Sequence, residues 1–390
     1  MAYWLEFPLW GLFSVFLAEV VRDAYHVLCH RVTWLARLHN YHHAAYRRDL
    51  SLVSVALYQK AQLYHDVLES VVLVLALTGV ALMGGVPGLW LGVLYALTFL
   101  AGGTKRYFWK TVDTDYNHLP GPLETAPSRW WVNRSYHWRH HFDDTNAYYS
   151  GVFTFVDKVL GSALSLKGKT VAITGASGAL GQALIHQLRT HKARVIALST
   201  SATDFADLPG VTVVPWQLGE EAQLQEHLQR ADILILNHGV NVYGLCTPEA
   251  IEHSYQVNTF SALRLIDLFL ATVQGPDARA TKEVWVNTSE AEVSPAFSPL
   301  YELSKRALGD LVTLKRLHAP CVIRKLILGP FKSKLNPFGV MSAEQVARGI
   351  LFGAKRDFRN IIVTINPLTY LLFPMKESAT ALYYRLCTQK

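Results

Sequence analysis

Apolar residues are unevenly spread along this 390-residue chain, and that segregation constrains the fold more than any other feature. Three long apolar stretches, residues 7–21, 67–83 and 87–101, all precede residue 105. Each approaches the ~20 residues needed to cross a bilayer. The last two are joined by GGVPG, a short uncharged turn, and read as a hairpin dipping into the membrane and out again. The first lacks a basic leading region and a small-residue cleavage site, and reads as a retained segment rather than a leader. The other reading of these stretches is as buried helices of a large soluble domain.

The net charge is +7. Arg47, Arg48, Lys105, Arg106, Lys110, Arg129, Arg134 and Arg139 flank the apolar stretches, which points to an anionic membrane surface. No nucleic-acid-binding motif accompanies them, so no nucleic-acid partner is expected. The excess of cations beside the His-rich segments puts those segments on the cytoplasmic side. Cys29, Cys246, Cys321 and Cys387 form no CxxC pair, which suggests neither a zinc site nor a disulfide framework.

Ten of the sixteen histidines fall at or before residue 141, and their spacing is ordered. His26 and His30 are four apart, on one helical face. His39, His42 and His43 form H-x-x-H-H, and His137, His140 and His141 repeat it; His118 stands between. Imidazole ligates iron, copper, nickel and zinc. A single zinc takes three or four ligands, so this set suits two metals. His65 stands alone and reads as a polar residue at a wet boundary.

The order H-x3-H, H-x-x-H-H, H-x-x-H-H, interleaved with membrane helices, resembles the fatty acid hydroxylase/sterol desaturase superfamily over residues 19–162. Arg31, NAYYSG and FVDKVLGS add to the likeness. The resemblance implies a di-iron centre held by His26, His30, His39, His42, His43, His118, His137, His140 and His141. It also implies O2 activation and hydroxylation or desaturation of an acyl or sterol-type chain. No haem or iron–sulfur motif is present, so an external one-electron donor such as ferredoxin or a cytochrome is expected. The family's further histidine, four before His118, is Thr114 here, between Asp113 and Asp115. Either a carboxylate substitutes or one iron is short of a ligand.

From residue 163 the text changes to alternating strand and helix, which argues for a parallel doubly wound sheet. KTVAITG, ARVIALST, ADILILNHG and EVWVNTS read as strands, and another precedes Gly329-Pro330. TGASGALG follows the first strand and opens a helix; its small residues allow a pyrophosphate close to the backbone at the helix N-terminus. Tyr301 and Lys305 form Y-x3-K, Asn237-His-Gly239 ends one strand, and Ser289 ends another twelve residues before Tyr301.

Together these motifs resemble the short-chain dehydrogenase/reductase superfamily over residues 167–365. The resemblance implies NAD(P)(H), held by Gly175, Ser177, Gly178, Gly181, Ser199, Asn237, Gly239 and Lys305. Tyr301 is then the acid–base, Lys305 lowers its pKa and holds the ribose, Ser289 bonds the substrate oxygen, and Asn258 supports a proton-relay water. Thr288 is the reserve for Ser289. Ala179 departs from the strict glycine pattern, and His238 from the usual second asparagine. Ser199, Thr200 and Ser201 end the second strand where an acidic residue would select NAD, which leans toward NADP.

The expected fold has two parts: an all-α membrane domain with a His-rich cytoplasmic face (1–162), then a Rossmann domain (163–390). The expected function is a bifunctional lipid-modifying oxidoreductase of the membrane. The alternatives are a dehydrogenase tethered by a non-catalytic lipid-binding anchor, and a nucleotide sensor in the second domain. The apolar, aromatic stretch 367–374 is open between core and docking surface.

Overall fold

The computed structural model describes residues 3–200 and 208–388. They divide into two compact units, Met1–Ala163 and Leu164–Lys390.

The first unit is helical. Its long elements are Tyr3–Arg31, Val55–Gly84 and Pro87–Trp109, with shorter helices at Thr33–Ala44, Arg134–Phe142 and Phe155–Leu160. Val55–Gly84 and Pro87–Trp109 are long and apolar enough to cross a membrane, and only 22% and 33% of their most apolar windows is buried. Outward-facing Leu75, Leu82 and Leu94 suit a lipid environment better than a soluble core. The expected span at 7–21 lies within the Tyr3–Arg31 helix, which is not among these candidates. The apolar run there ends in Glu19, Arg22 and Asp23, all buried, with Glu19 and Arg22 paired at 2.7 Å. A Cβ on Gly92 would stand 2.8 Å from the Ser14 carbonyl oxygen, so the hairpin meets the first helix backbone to backbone. Two of the cations read as membrane-facing are instead internal. Arg106 donates to Asp66 at 2.9 Å, and Arg139 is buried against the Tyr148 ring.

The second unit is a seven-stranded, all-parallel sheet. Its strands are β1 (Thr170–Thr174), β2 (Arg194–Ser199), β3 (Val211–Pro215), β4 (Ile233–Leu236), β5 (Glu283–Asn287), β6 (Val322–Leu328) and β7 (Asn360–Val363), in the order β3-β2-β1-β4-β5-β6-β7. Central strands such as ILIL of β4 are buried throughout, as a sheet covered on both faces requires. The strand order reverses between β1 and β4, and the crevice beyond their C-terminal ends is where such sheets bind ligands. Charged clusters interrupt the core. Arg324 of β6 bonds Glu283 of β5 at 2.7 and 2.9 Å, with neither side chain exposed. The Pro367–Cys387 helix answers the question left by stretch 367–374. Its Phe373 and Glu377 are core, and Glu377 accepts from Lys325 at 2.6 Å, while Leu368, Leu371 and Met375 are exposed.

Candidate metal centre and dinucleotide site

The histidines of the first unit form two quartets. His26, His30, His39 and His140 make one; His42, His118, His137 and His141 make the other. Each H-x-x-H-H box feeds both, because residues three apart on a helix are offset by roughly 60° and adjacent ones by roughly 100°. His43 lies between, its Nε2 2.9 Å from that of His39 and its ring against those of His140 and His141.

Within a quartet the Nε2 atoms face one another. The separations are 3.0 Å for His26–His140 and 3.2 Å for His26–His39; in the second quartet they are 2.9, 3.0 and 3.2 Å among His118, His137 and His141. Three rings are locked from behind. The Nδ1 of His26 lies 2.7 Å from the Tyr149 carbonyl, that of His140 2.8 Å from the Ala147 carbonyl, and that of His118 2.6 Å from Asp115. A carbonyl can only accept, so His26 and His140 carry the proton on Nδ1 and turn an Nε2 lone pair inward. Their two inward lone pairs at 3.0 Å repel unless a cation lies between them. Edges of this length are those of nitrogen ligands ~2.1 Å from a common ion. The donor set therefore fits a pair of metal ions. Burial and neighbouring imidazoles hold His137, His140 and His141 well below the ordinary imidazole value, which keeps them in the neutral, ligating form.

The Thr114 gap is not filled by a neighbouring carboxylate. Asp113 is on the surface with Lys105, and Thr114 accepts from Arg106. Asp115 stands behind His118 and accepts from Tyr46 at 2.7 Å. Burial works against its charge, but His118 and Arg106 outweigh that and hold its carboxyl below the usual range. Asp115 thus fixes the ring of His118 rather than joining the quartet. His65 does not stand at a wet boundary: it is buried, with its Nδ1 3.1 Å from Nδ1 of His39. The available signal was a His-Asp pair interrupting an apolar helix.

In the second unit, Gly175, Ser177 and Gly178 form the turn between β1 and the Ala179–Thr190 helix. Gly175 has φ +62°, and a Cβ on Gly181 would collide with the Gly175 oxygen, so the helix N-terminus is brought against the turn. This cradle fits a pyrophosphate. Asn237 donates to the Gly175 carbonyl at 3.4 Å. Gly239 lies near the Lys305 ammonium, which donates to the Asn287 carbonyl at 3.0 Å. Asn258, on a π turn, donates to the Val240 carbonyl at 2.9 Å and accepts from its N–H at 2.8 Å. Tyr301 and Ser289 share a hydrogen bond, and Ser289 holds a strained φ of +108°. Burial pushes the Tyr301 phenol up, and the Ser289 bond opposes it. Burial brings Lys305 down to about 8. Thr288 is fully buried. His238 lies 2.8 Å from Thr174 at the foot of β4. Ser199 is buried at the end of β2, and Ser201 lies outside the described residues.

Fold and site together define a histidine-rich, membrane-associated oxidoreductase domain joined to a dinucleotide-dependent dehydrogenase. Matching profiles agree: fatty acid hydroxylase over residues 11–162 and short chain dehydrogenase over 169–324. The chain is 53% identical over 398 aligned residues to the monoglucosyldiacylglycerol epimerase of Synechocystis sp., covering 97% of each, and it belongs to the family of that protein. L-xylulose reductase of Homo sapiens is 28% identical, over 44% of this chain and 71% of that one. A short chain dehydrogenase from Burkholderia cenocepacia, crystallised with NADP, is 17% identical with a TM-score of 0.48, over 58% of this chain and 100% of that one. The chain is an enzyme; its short chain dehydrogenase domain implies NAD(P) and its fatty acid hydroxylase domain implies iron.

Proposed function

We propose that the chain inverts one carbinol carbon in the sugar of a glycosyl diacylglycerol, with the inversion at Tyr301. The observation that carries this is the match to an epimerase running through both units at 97% coverage. Inversion at carbon can proceed by oxidation to a ketone and reduction from the other face, with no net redox. NAD(P) would supply the hydride acceptor and donor. Tyr301 takes the hydroxyl proton as the ketone forms and returns it on reduction, so the proton inventory closes. Lys305 favours the phenolate, and Ser289 holds the substrate oxygen. A diacyl substrate is supported by two apolar rings open to solvent, Phe297, 98% exposed, and Phe338, 93% exposed. Their loops are tied to the Asn241–Tyr243 segment through Ser298 and Lys334.

A second reading rests on the two quartets. Irons held by His26, His30, His39, His42, His43, His118, His137, His140 and His141 would supply O2 activation for hydroxylation or desaturation. An external donor such as ferredoxin or a cytochrome would be the partner, and the histidine boxes and the second unit would lie on the cytoplasmic side of the membrane. The lean to NADP belongs to this proposal too.

The test uses detergent-purified chain, monoglucosyldiacylglycerol deuterated at candidate sugar carbons, and catalytic NAD(P)+. Epimer formation with deuterium retained and no O2 uptake is expected. Stoichiometric NAD(P)H with a ketone product overturns the epimerase reading, and O2 uptake tied to lipid oxidation favours the second.

A further inference from the structure

A single polar turn in the Val55–Gly84 helix reaches both histidine quartets. The turn is a π-helical segment, Gln62–Val67, and it carries His65 and Asp66 inward. Such turns recur at functional sites, and ionisable residues in an apolar helix are retained mainly for function. The His65 ring packs 4.3 Å from that of His39 and 4.5 Å from that of His42. His39 belongs to one quartet and His42 to the other. Behind them, Asp66 Oδ1 lies 3.9 Å from His65 Nε2 and 3.9 Å from His42 Nδ1. Its other oxygen accepts from Arg106 at 2.9 Å, and Arg106 also donates to Gln62 at 2.6 Å.

The pattern matches what stands behind His26, His118 and His140, where an oxygen fixes the Nδ1 proton. For His39 the group in that place is the Nδ1 of His65, at 3.1 Å. We infer that His65 and Asp66 form a positioning pair serving one ligand in each metal site. His65 Nδ1 accepts the His39 Nδ1–H, which leaves His39 Nε2 free for the metal. The Asp66 carboxylate favours the tautomers in which His65 Nε2 and His42 Nδ1 carry hydrogen. Neither residue is a ligand, yet changing either weakens both sites, because the two are built on one turn. The inference rests on the reading that the quartets hold metal.

The test measures metal per chain and Co(II) absorption spectra on detergent-purified full-length protein. Wild type is compared with His65→Leu, His65→Asn and Asp66→Asn. Far-UV dichroism and NAD(P)H binding check folding. The amide oxygen introduced by His65→Asn can occupy the place of the imidazole Nδ1, so that variant restores the acceptor without offering an imidazole. His65→Leu is expected to lose about 10–100-fold in metal affinity with an altered spectrum. His65→Asn is expected to recover most of that loss, and Asp66→Asn to weaken both ions. Wild-type affinity in His65→Leu overturns the proposal. So does a His65→Asn chain that binds no better than His65→Leu, which would mark His65 as a direct ligand. A wild-type chain that takes up no metal removes the underlying reading instead.

Discussion

Tyr301 and Lys305 divide one proton-handling task, and their environment predicts how it fails. Tyr301→Phe should cut turnover by about 10²–10⁴-fold while NAD(P)H binding persists, measured by titration beside activity. Burial brings Lys305 down to about 8, so its ammonium is present below that pH and lost above it. The phenolate loses its cationic support in the same range, and kcat/KM should fall as pH rises through about 8. A profile that stays flat well above that pH would contradict this. Both residues were legible in the sequence because Y-x3-K places them one helical turn apart. His65 was not, because a lone histidine carries no spacing signal, and its partner His39 is 26 residues away.

Elements were legible where burial is symmetric. The five strands read from sequence are apolar runs of the central sheet. β3 and β7 escaped because they are edge strands with mixed exposure. The Arg324–Glu283 pair was also hidden, since a charge within a strand ordinarily reads as solvent-facing. Both groups are fully buried, with Asp357 also on Arg324 at 2.8 Å. Arg324→Met removes the guanidinium that bonds both oxygens of buried Glu283, while Asp357 keeps Arg359, and should destabilise the second unit by about 3–5 kcal/mol, read from urea denaturation. The π turn in Val55–Gly84 has no sequence signature; only packing shows why the helix widens there.

At the scale of the molecule, the two units should respond differently to metal and acid. Stripping metal with a chelator should lower the thermal midpoint of the first unit and leave NAD(P)H binding by the second unchanged. In the stripped chain, His137, His140 and His141 stay neutral when folded but protonate near pH 6.5 when unfolded. Below that pH the unfolded state binds more protons, so stability falls as pH falls and levels off above about 6.5. Calorimetry across that pH range reads this directly; a midpoint that rises on acidification would contradict it. The carbonyls behind His26 and His140 carry a last consequence, for biogenesis. Tyr149 reaches back 123 residues to His26, and its own N–H is anchored on Asp157, the buried hub that also binds Ser150 and Ser162. A ribosome that has released only the helical hairpin has made a membrane insert with half a ligand set. If the quartets hold metal, neither is complete until the chain has been made past residue 141, and the oxygen behind His26 is anchored only once Asp157 is made, so full loading would follow synthesis of the hairpin rather than accompany it.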